Sequence, residues 1–365
     1  MHRIELTYAL ATEGTDRGEL HNALLALLGA IDRDGSISGA ARALSLSYRH
    51  VWGELKRWEQ HLGRGLIVWT KGQPAVLSPF GKKLLWAERQ AQARLAPQLA
   101  VLRGELERAF AIAFDDDTGV IEMFASHDEA LPLLREWIAL HAKLHLDITF
   151  TGSVDALAAL NDGRCLLAGF HALTDAPLAS PTARVYRPML QPGRHKLIGF
   201  ASRRQGLIVA PGNPLRIATL ADLARPGVHF VNRQRGTGTR VVLEELLATA
   251  GVRPSSIDGY DRVEPSHRAV AESVASGSAD AAFGIEAAAQ TRGLDFIELA
   301  EEGYFLATLA GNLEHPHVAQ LRRVLASAGW QAALGRIPGY LPRSSGEVLS
   351  LKKVLPWWSY RKSKR

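Results

Sequence analysis

The stretch Val231-Asn232-Arg233-Gln234-Arg235-Gly236-Thr237-Gly238-Thr239-Arg240 follows the apolar run Val228-His229-Phe230 and precedes 241–247, whose apolar residues have helical spacing. It reads as a strand, a glycine turn and a helix start. The first turn of a helix leaves backbone N–H groups unpaired and presents the positive end of the helix dipole. Gly236 and Gly238 permit close backbone approach, while Thr237 or Thr239 can cap the helix or donate a hydroxyl. Arg235 or Arg240 would add charge. Together these features describe a seat for an anion. The same residues would also make an ordinary capped helix with a solvated arginine cluster. No Gly-Lys-Ser/Thr follows at Walker-loop spacing, and the third glycine of a dinucleotide fingerprint would fall at Val241.

The elements that would hold such a seat must come from a chain of 365 residues, 47% hydrophobic, enough for two or three domains with packed cores. Lys+Arg exceed Asp+Glu by 43 to 37, a modest excess whose location matters more than its size. The one cysteine, Cys165, excludes an internal disulfide framework, fits a reducing compartment and reads as a small core hydrophobe. The start Met1-His2-Arg3-Ile4-Glu5 has no apolar signal core, and no stretch approaches the ~18 apolar residues of a membrane span, so a soluble cytoplasmic protein is expected. Among the 13 histidines, His315-Pro316-His317 is the closest pair, and its proline suits a loop better than a metal site. No nucleophile–base set, metal cluster or cofactor loop emerges. His267 and Glu286 read as capping or packing groups, so no catalytic residue, metal or cofactor is expected and the chain does not read as an enzyme.

Residues 4–10 alternate as a short strand would, and 18–31 carry an apolar helical face. Ser36 or Ser38 can cap a short helix rich in alanine. Ser45-Leu46-Ser47 then makes a turn before a second helix from about Ser47 to His61. Two short helices with small residues at their contact form a helix-turn-helix. Val51, Trp52, Leu55 and Trp58 suit burial. Tyr48, Arg49, His50, Lys56 and Arg57 fall on the remaining surface, with Ser36 and Ser47 at the helix starts. The runs 65–70 and 75–78 flank Lys71-Gly72-Gln73-Pro74, a hairpin with a basic tip that would serve as a wing. This part predicts binding to double-stranded DNA, with Tyr48, Arg49 and His50 toward base edges and Lys56, Arg57 and Lys71 toward phosphates. The motif Ser36-Ile37-Ser38-Gly39-Ala40-Ala41 through Ser47-Tyr48-Arg49-His50-Val51-Trp52, followed by 75–81, resembles the N-terminal domain of ModE-type molybdate-dependent regulators. More distantly it is similar to the winged helix of LysR-type regulators.

From 81 to 113, leucines recur at helical spacing with a proline only at Pro97, predicting one long helix, kinked there or straight. Such a helix would pair with its twin in a homodimer or homotetramer, or pack on its own chain. Asp115-Asp116-Asp117 reads as an acidic linker. Beyond Val120 strands and helices alternate, so the fold class is α/β. Strands are expected at 121–125, 146–150, 165–170, 195–200, 228–231, 279–284, 296–299 and 304–307, in two lobes. Ser126, Ser153 and Thr237 recur where strands end and helices start, and in open parallel sheets ligands sit outside the carboxyl ends of strands. Each serine could instead be a plain helix cap.

The segments Thr151-Gly152-Ser153, Ala168-Gly169-Phe170-His171, 232–240, Ser266-His267-Arg268-Ala269-Val270-Ala271, 274–280 and Gly284-Ile285-Glu286-Ala287-Ala288 resemble the periplasmic-binding-protein-like (type II) domain of the molybdate/tungstate-binding kind, fused to ModE-type winged helices. The resemblance implies a DNA-binding transcription regulator that senses a small oxyanion, molybdate or tungstate. The ligand contacts it implies are Ser126, Ser153, Thr237, Thr239, Ser266 and Tyr304, to which the reading of the glycine turn as an anion seat adds Arg235 and Gly238. Val154-Asp155 follows Ser153 where the family pattern has a smaller, neutral pair. A carboxylate beside an anion is unfavourable unless it points away, which keeps a small carboxylate such as formate as an alternative ligand. A cytoplasmic oxyanion-binding or homeostasis protein is the alternative function. The expected domains are 1–80 (winged helix-turn-helix), 81–117 (linker helix), 118–343 (two-lobed ligand domain) and 344–365, a solvated basic tail.

Overall fold

The computed structural model describes residues 22–69, 74–114 and 119–358. The expected strand at 4–10, the wing tip with Lys71, the acidic linker and the basic end of the chain lie outside these residues. The chain divides into two compact units, Met1–Gln92 and Ala93–Arg365.

In the first unit every helix start is capped as its sequence demands. The Asn22 side chain accepts from the N–H groups of Leu24 and Leu25 at the head of α1 (Ala23–Asp34). Ser36 Oγ accepts from Gly39 N at 3.0 Å to start α2 (Ile37–Ala43). Ser45, with φ 54°, turns the chain toward Ser47, whose Oγ accepts from His50 N at 3.1 Å to start α3 (Tyr48–Leu62). Val51 and Leu55 of α3 pack with Leu28, Ile31, Ile37 and Ala40 in one core. Glu59 Oε1 accepts from Leu66 N (2.7 Å) and Ile67 N (3.2 Å), which pins β1 (Ile67–Val68) to α3. β1 pairs antiparallel with β2 (Val76–Leu77), the base of the wing. From there α4 (Pro79–Phe114) runs 36 residues without interruption, through Pro97. Leu102, Leu106 and Phe110 on it are exposed.

The second unit alternates strand and helix: β3 (Gly119–Ala125), α5 (Ala130–Ala142), β4 (Leu144–Phe150), α6 (Ser153–Asn161), β5 (Leu167–Ala172), α7 (Pro181–Tyr186) and β6 (His195–Val209). The chain continues through β7 (Phe230–Arg233), α8 (Gly238–Ala250), β8 (Val263–Glu264), α9 (His267–Ala275), β9 (Ala281–Ile285), α10 (Glu286–Thr291) and β10 (Asp295–Leu309). The order across the sheet is β4-β3-β5-β10-β6-β9-β7-β8. The flanks β4-β3-β5 and β9-β7-β8 are parallel, while β5-β10, β10-β6 and β6-β9 are antiparallel. Two parallel lobes are therefore joined by the long strands β6 and β10. The sequence led us to expect only 195–200 of β6, and β10 as two separate runs. Both continue unbroken because their polar middles face each other, Arg203 opposite Glu302 and Ser202 opposite Gly303. A register shift between Tyr304 and Phe305 gives β10 a local bulge, which re-aims the side chains beside it.

After α11 (Pro316–Ala326) and α12 (Ala328–Leu334), β11 (Tyr340–Leu341) and β12 (Val348–Leu349) both pair with β6, followed by α13 (Leu351–Val354). This corrects the expectation of a solvated tail from residue 344. As far as it is described, that segment is packed: Leu351, Leu355 and Trp357 are buried against Ala183, Tyr186 and Leu190. Trp357 Nε1 donates to the Ala176 carbonyl at 2.9 Å. The charged end at 361–365 drew the eye in the sequence, yet the apolar residues before it decide the outcome. Trp357→Ala should therefore destabilise the second unit by about 3–5 kcal/mol in urea denaturation. A loss below ~1 kcal/mol would mean that the segment is not core.

Candidate functional site

The carboxyl ends of the parallel strands in the two lobes face one cleft. From the first lobe, β3 ends at Ser126-His127-Asp128, α6 starts at Ser153, and β5 ends near His171. Ser126 Oγ and Ser153 Oγ lie 3.1 Å apart, and Ser153 Oγ is 3.5 Å from His171 Nδ1, all three residues buried. From the second lobe, β7 ends at Arg233, α8 begins behind its cap Thr237, and α9 begins at His267. Thr239 Oγ1 lies 3.3 Å from His267 Nε2 and accepts from Gln205 Nε2 at 3.3 Å. The lobes meet directly, since Val154 N donates to the Gly236 carbonyl at 3.4 Å. A Cβ on Gly238 would stand 2.8 Å from His171 Cβ, and one on Gly152 2.8 Å from the Gly236 oxygen. Only glycine permits that approach.

The floor comes from the joining strands. Arg203 on β6 donates to Asp128 Oδ2 and Glu302 Oε1, with all three side chains inaccessible to solvent or nearly so. Gln205 Nε2 donates to Glu302 Oε1 at 2.8 Å, and Tyr340 OH donates to Asp128 Oδ2 at 2.6 Å. Both carboxylates are thereby committed to Arg203. Arg233, 1% exposed, has no carboxylate within ion-pair distance among the described residues. Its Nη1 donates to the Glu264 carbonyl at 3.3 Å, and its Nε has no partner. His171 Nε2, Gln205 Oε1, Glu302 Oε2 and Tyr304 OH are likewise buried without partners. Most buried polar groups in folded proteins find one, so their gathering here marks a place prepared for something polar.

Burial, with the field of Arg203, pulls the Arg233 guanidinium down to about 9, which leaves it charged at neutral pH. His127 is depressed to about 3 by burial and by Arg233. His171 and His267 are held well below the ordinary imidazole range by burial and by both arginines. Burial raises Asp128 and Glu302, though Arg203 opposes it. At neutral pH the cleft therefore holds one buried cation outside any ion pair, neutral imidazoles and several hydroxyls. Such a set receives negative charge. Among the described residues no three of its acidic and imidazole groups are placed to hold a metal ion.

Of the residues singled out in the sequence, Ser126, Ser153, Gly238, Thr239 and Tyr304 come together here. The Tyr304 ring lies 3.9 Å from that of His171. Thr237 is buried but occupied as a cap, donating to the Gln234 carbonyl and accepting from Arg240 N. Ser266 Oγ accepts from Ala269 N as the cap of α9. The structure does not bring Arg235 to the cleft. Its side chain is 81% exposed and faces Asp261, because the glycine turn carries the chain outward after β7. The motif buries two other arginines: Arg240, paired with Glu244 at 2.9 Å and lying over the Tyr260 ring, and Arg233, the last residue of the strand, where a parallel sheet points side chains at its crevice. Asp155 is exposed, within reach of Thr151 Oγ1, so it does not oppose an anion. His267, read as a capping or packing group, lies instead at the cleft wall, while Glu286 pairs with Arg204. Cys165 is buried as expected, and burial pushes its thiol up to about 11.

On α3, Tyr48, Arg49 and His50 are exposed. Lys56 pairs with Glu59 at 2.7 Å and Arg57 with Glu54 at 2.6 Å, so Arg49 is the arginine on this face without a carboxylate partner among the described residues. Ser36 and Ser47 use their hydroxyls as caps.

The family model for the PBP superfamily domain matches residues 135–326, more than half of the chain. The chain belongs to the PBP superfamily. Residues 23–82 match the bacterial regulatory helix-turn-helix of the lysR family, the more distant of the two likenesses drawn from the sequence. The PBP chain is 33% identical over 200 residues to the uncharacterized protein YvgK of Bacillus subtilis (strain 168), covering 55% of this chain and 64% of YvgK. It is 34% identical over 111 residues to an uncharacterized protein in the ferredoxin 2Fe-2S gene 5' region of Clostridium pasteurianum, covering 30% of this chain and 98% of that one. With the molybdenum-pterin-binding protein MopB of Rhodobacter capsulatus it shares 38% identity over 80 residues, 21% of this chain and 30% of MopB. Among solved structures it is similar to Corynebacterium glutamicum OxyR (18% identity, TM-score 0.43, 86% and 95% covered). It is also similar to full-length CbnR complexed with its target DNA (16% identity, TM-score 0.42, 82% and 97% covered). No helix among the described residues is long and apolar enough to cross a membrane.

The Arg203 pairing yields a stability test. Arg203→Met strands two buried carboxylates and should cost about 3–5 kcal/mol at neutral pH. Burial raises both carboxyls in the folded state, so the folded variant takes up protons ahead of the unfolded chain as pH falls. The deficit should therefore shrink toward acid pH in urea titrations. A deficit that is small, or that grows with acid, would contradict the pairing.

Proposed function

We propose that this protein is a ligand-responsive transcription regulator whose winged helix binds operator DNA and whose PBP cleft binds a small oxyanion, molybdate or tungstate. The observation that carries the ligand half is Arg233, a buried guanidinium without a carboxylate, set among hydroxyls, neutral imidazoles and two helix starts. The resemblance to ModE-type regulators and the MopB likeness over 80 residues support the choice of oxyanion. Formate is the alternative the same site would accept, and a homeostasis protein without regulatory action is the alternative function. The DNA half rests on the helix-turn-helix match and on the exposed Tyr48, Arg49 and His50. Assembly as a homodimer or homotetramer would use the exposed leucines of α4, and glutamates at Leu102 and Leu106 should then yield a smaller species by light scattering.

Two variants separate the halves. Arg49→Ala should reduce discrimination between operator and random DNA by about 1–3 kcal/mol, leaving anion binding intact. Arg233→Gln should weaken molybdate binding at least about thirtyfold in calorimetry, at ~1.4 kcal/mol per decade, and abolish the reporter response while operator binding persists. Molybdate and formate affinities unchanged in Arg233→Gln would remove the cleft from the account. Footprinting that finds no preferred sequence would favour the homeostasis reading.

A further inference from the structure

The charges in the cleft sum to zero. Arg203 and Arg233 stand against Asp128 and Glu302, each buried. A monoanion entering this seat leaves one uncompensated negative charge and a dianion leaves two, in surroundings where such charge is costly. The surrounding phenols of Tyr186, Tyr304 and Tyr340 can only lose protons. Relief must come from a proton taken up by a carboxyl or by one of the imidazoles of His127, His171 and His267.

His171 is best placed among them. It lies 3.5 Å from Ser153 Oγ through Nδ1, packs against Tyr304 and the start of α8, and has no partner at Nε2. His267 meets Thr239 through Nε2 while its unpartnered Nδ1 faces Gly284 of β9, and His127 stacks on Phe150 at 4.1 Å. Asp128 is held by Arg203, Tyr340 and Ala130 N, which leaves Glu302 Oε2 as the competing proton acceptor.

We propose that the seat is built for a divalent oxyanion bound together with a proton, that His171 accepts this proton, and that a dianion takes up one proton more than a monoanion does. The proposal rests on the reading of the cleft as an anion seat. Burial and two arginines keep His171 neutral, and an anion in contact with it reverses that balance in favour of the imidazolium. Uptake of a proton on binding makes affinity rise as pH falls, by about tenfold per pH unit per proton.

The test is calorimetry on the full chain, with molybdate, tungstate and formate, in buffers of differing ionisation enthalpy. The working range is about pH 6.5 to 8.5, at and above the ordinary imidazole pKa of ~6.5. The oxyanions stay divalent and formate monovalent throughout. The proposal expects about one more proton per molybdate or tungstate than per formate, and a correspondingly steeper pH dependence of Kd. His171→Gln should lose that extra proton, and Glu302→Gln should keep it. Equal proton counts for molybdate and formate in the unaltered chain would overturn the proposal, whether or not either variant folds. Uptake that survives in His171→Gln but vanishes in Glu302→Gln would overturn the choice of group. Binding of none of the three probes, or binding indifferent to Arg233→Gln, would remove the anion seat itself and the proposal with it.

Discussion

The cleft depends on one competition. Four charged side chains are buried where the two joining strands pass between the lobes, and Arg203 takes both carboxylates for itself. A buried ion pair recovers its desolvation cost only with good geometry and satisfied lone pairs, and Gln205, Tyr340 and Ala130 N supply the additional hydrogen bonds. The consequence falls on Arg233, which is equally buried and has only a carbonyl to donate to. One internal pairing thus stabilises the fold and also leaves an unpaired cation at the cleft.

That arrangement also explains the polarity of the walls. Burial, with Arg233 beside His127, His171 and His267 and Arg203 beside the latter two, keeps all three imidazoles neutral, so their rings serve as packing surfaces as well as hydrogen-bonding groups. The His171 ring lies tilted against that of Tyr304, and the start of α8 approaches it so closely that residue 238 must lack a side chain. The lobes are held by backbone contacts at Gly152 and Gly236, and the hydroxyls of Ser126, Ser153 and Thr239 line the junction. Specificity in such a seat comes from charge and donor count more than from apolar shape.

Much of this was legible in the residues. Caps at Ser36, Ser47, Thr237 and Ser266 announce their helices, and the strands leading to Ser126, Ser153 and Thr237 follow from apolar runs bounded by turn residues. What the sequence concealed was non-local. Arg203 and Glu302 interrupt two apolar runs and look like loop positions, and only the antiparallel register sets them opposite each other, 99 residues apart. Arg233 and Arg235 sit two apart in one motif. Which of them is buried depends on where the strand ends, and that boundary is the least certain quantity in a pattern of apolar spacing. The C-terminal segment misled for a different reason. Its basic end suggested solvation, whereas Leu351, Leu355 and Trp357 complete a core that the preceding strands leave open.

The central claim is that a small anion sits at Arg233, between the strand ends of the two lobes. It is tested most directly by crystals of the full chain grown with tungstate, with anomalous diffraction recorded at a tungsten absorption edge. The account predicts one strong anomalous peak within hydrogen-bond reach of the Arg233 guanidinium and of hydroxyls from both lobes, Ser153 and Thr239 among them. A peak at the exposed Arg235 instead, or at any site outside the cleft with none at Arg233, would contradict it.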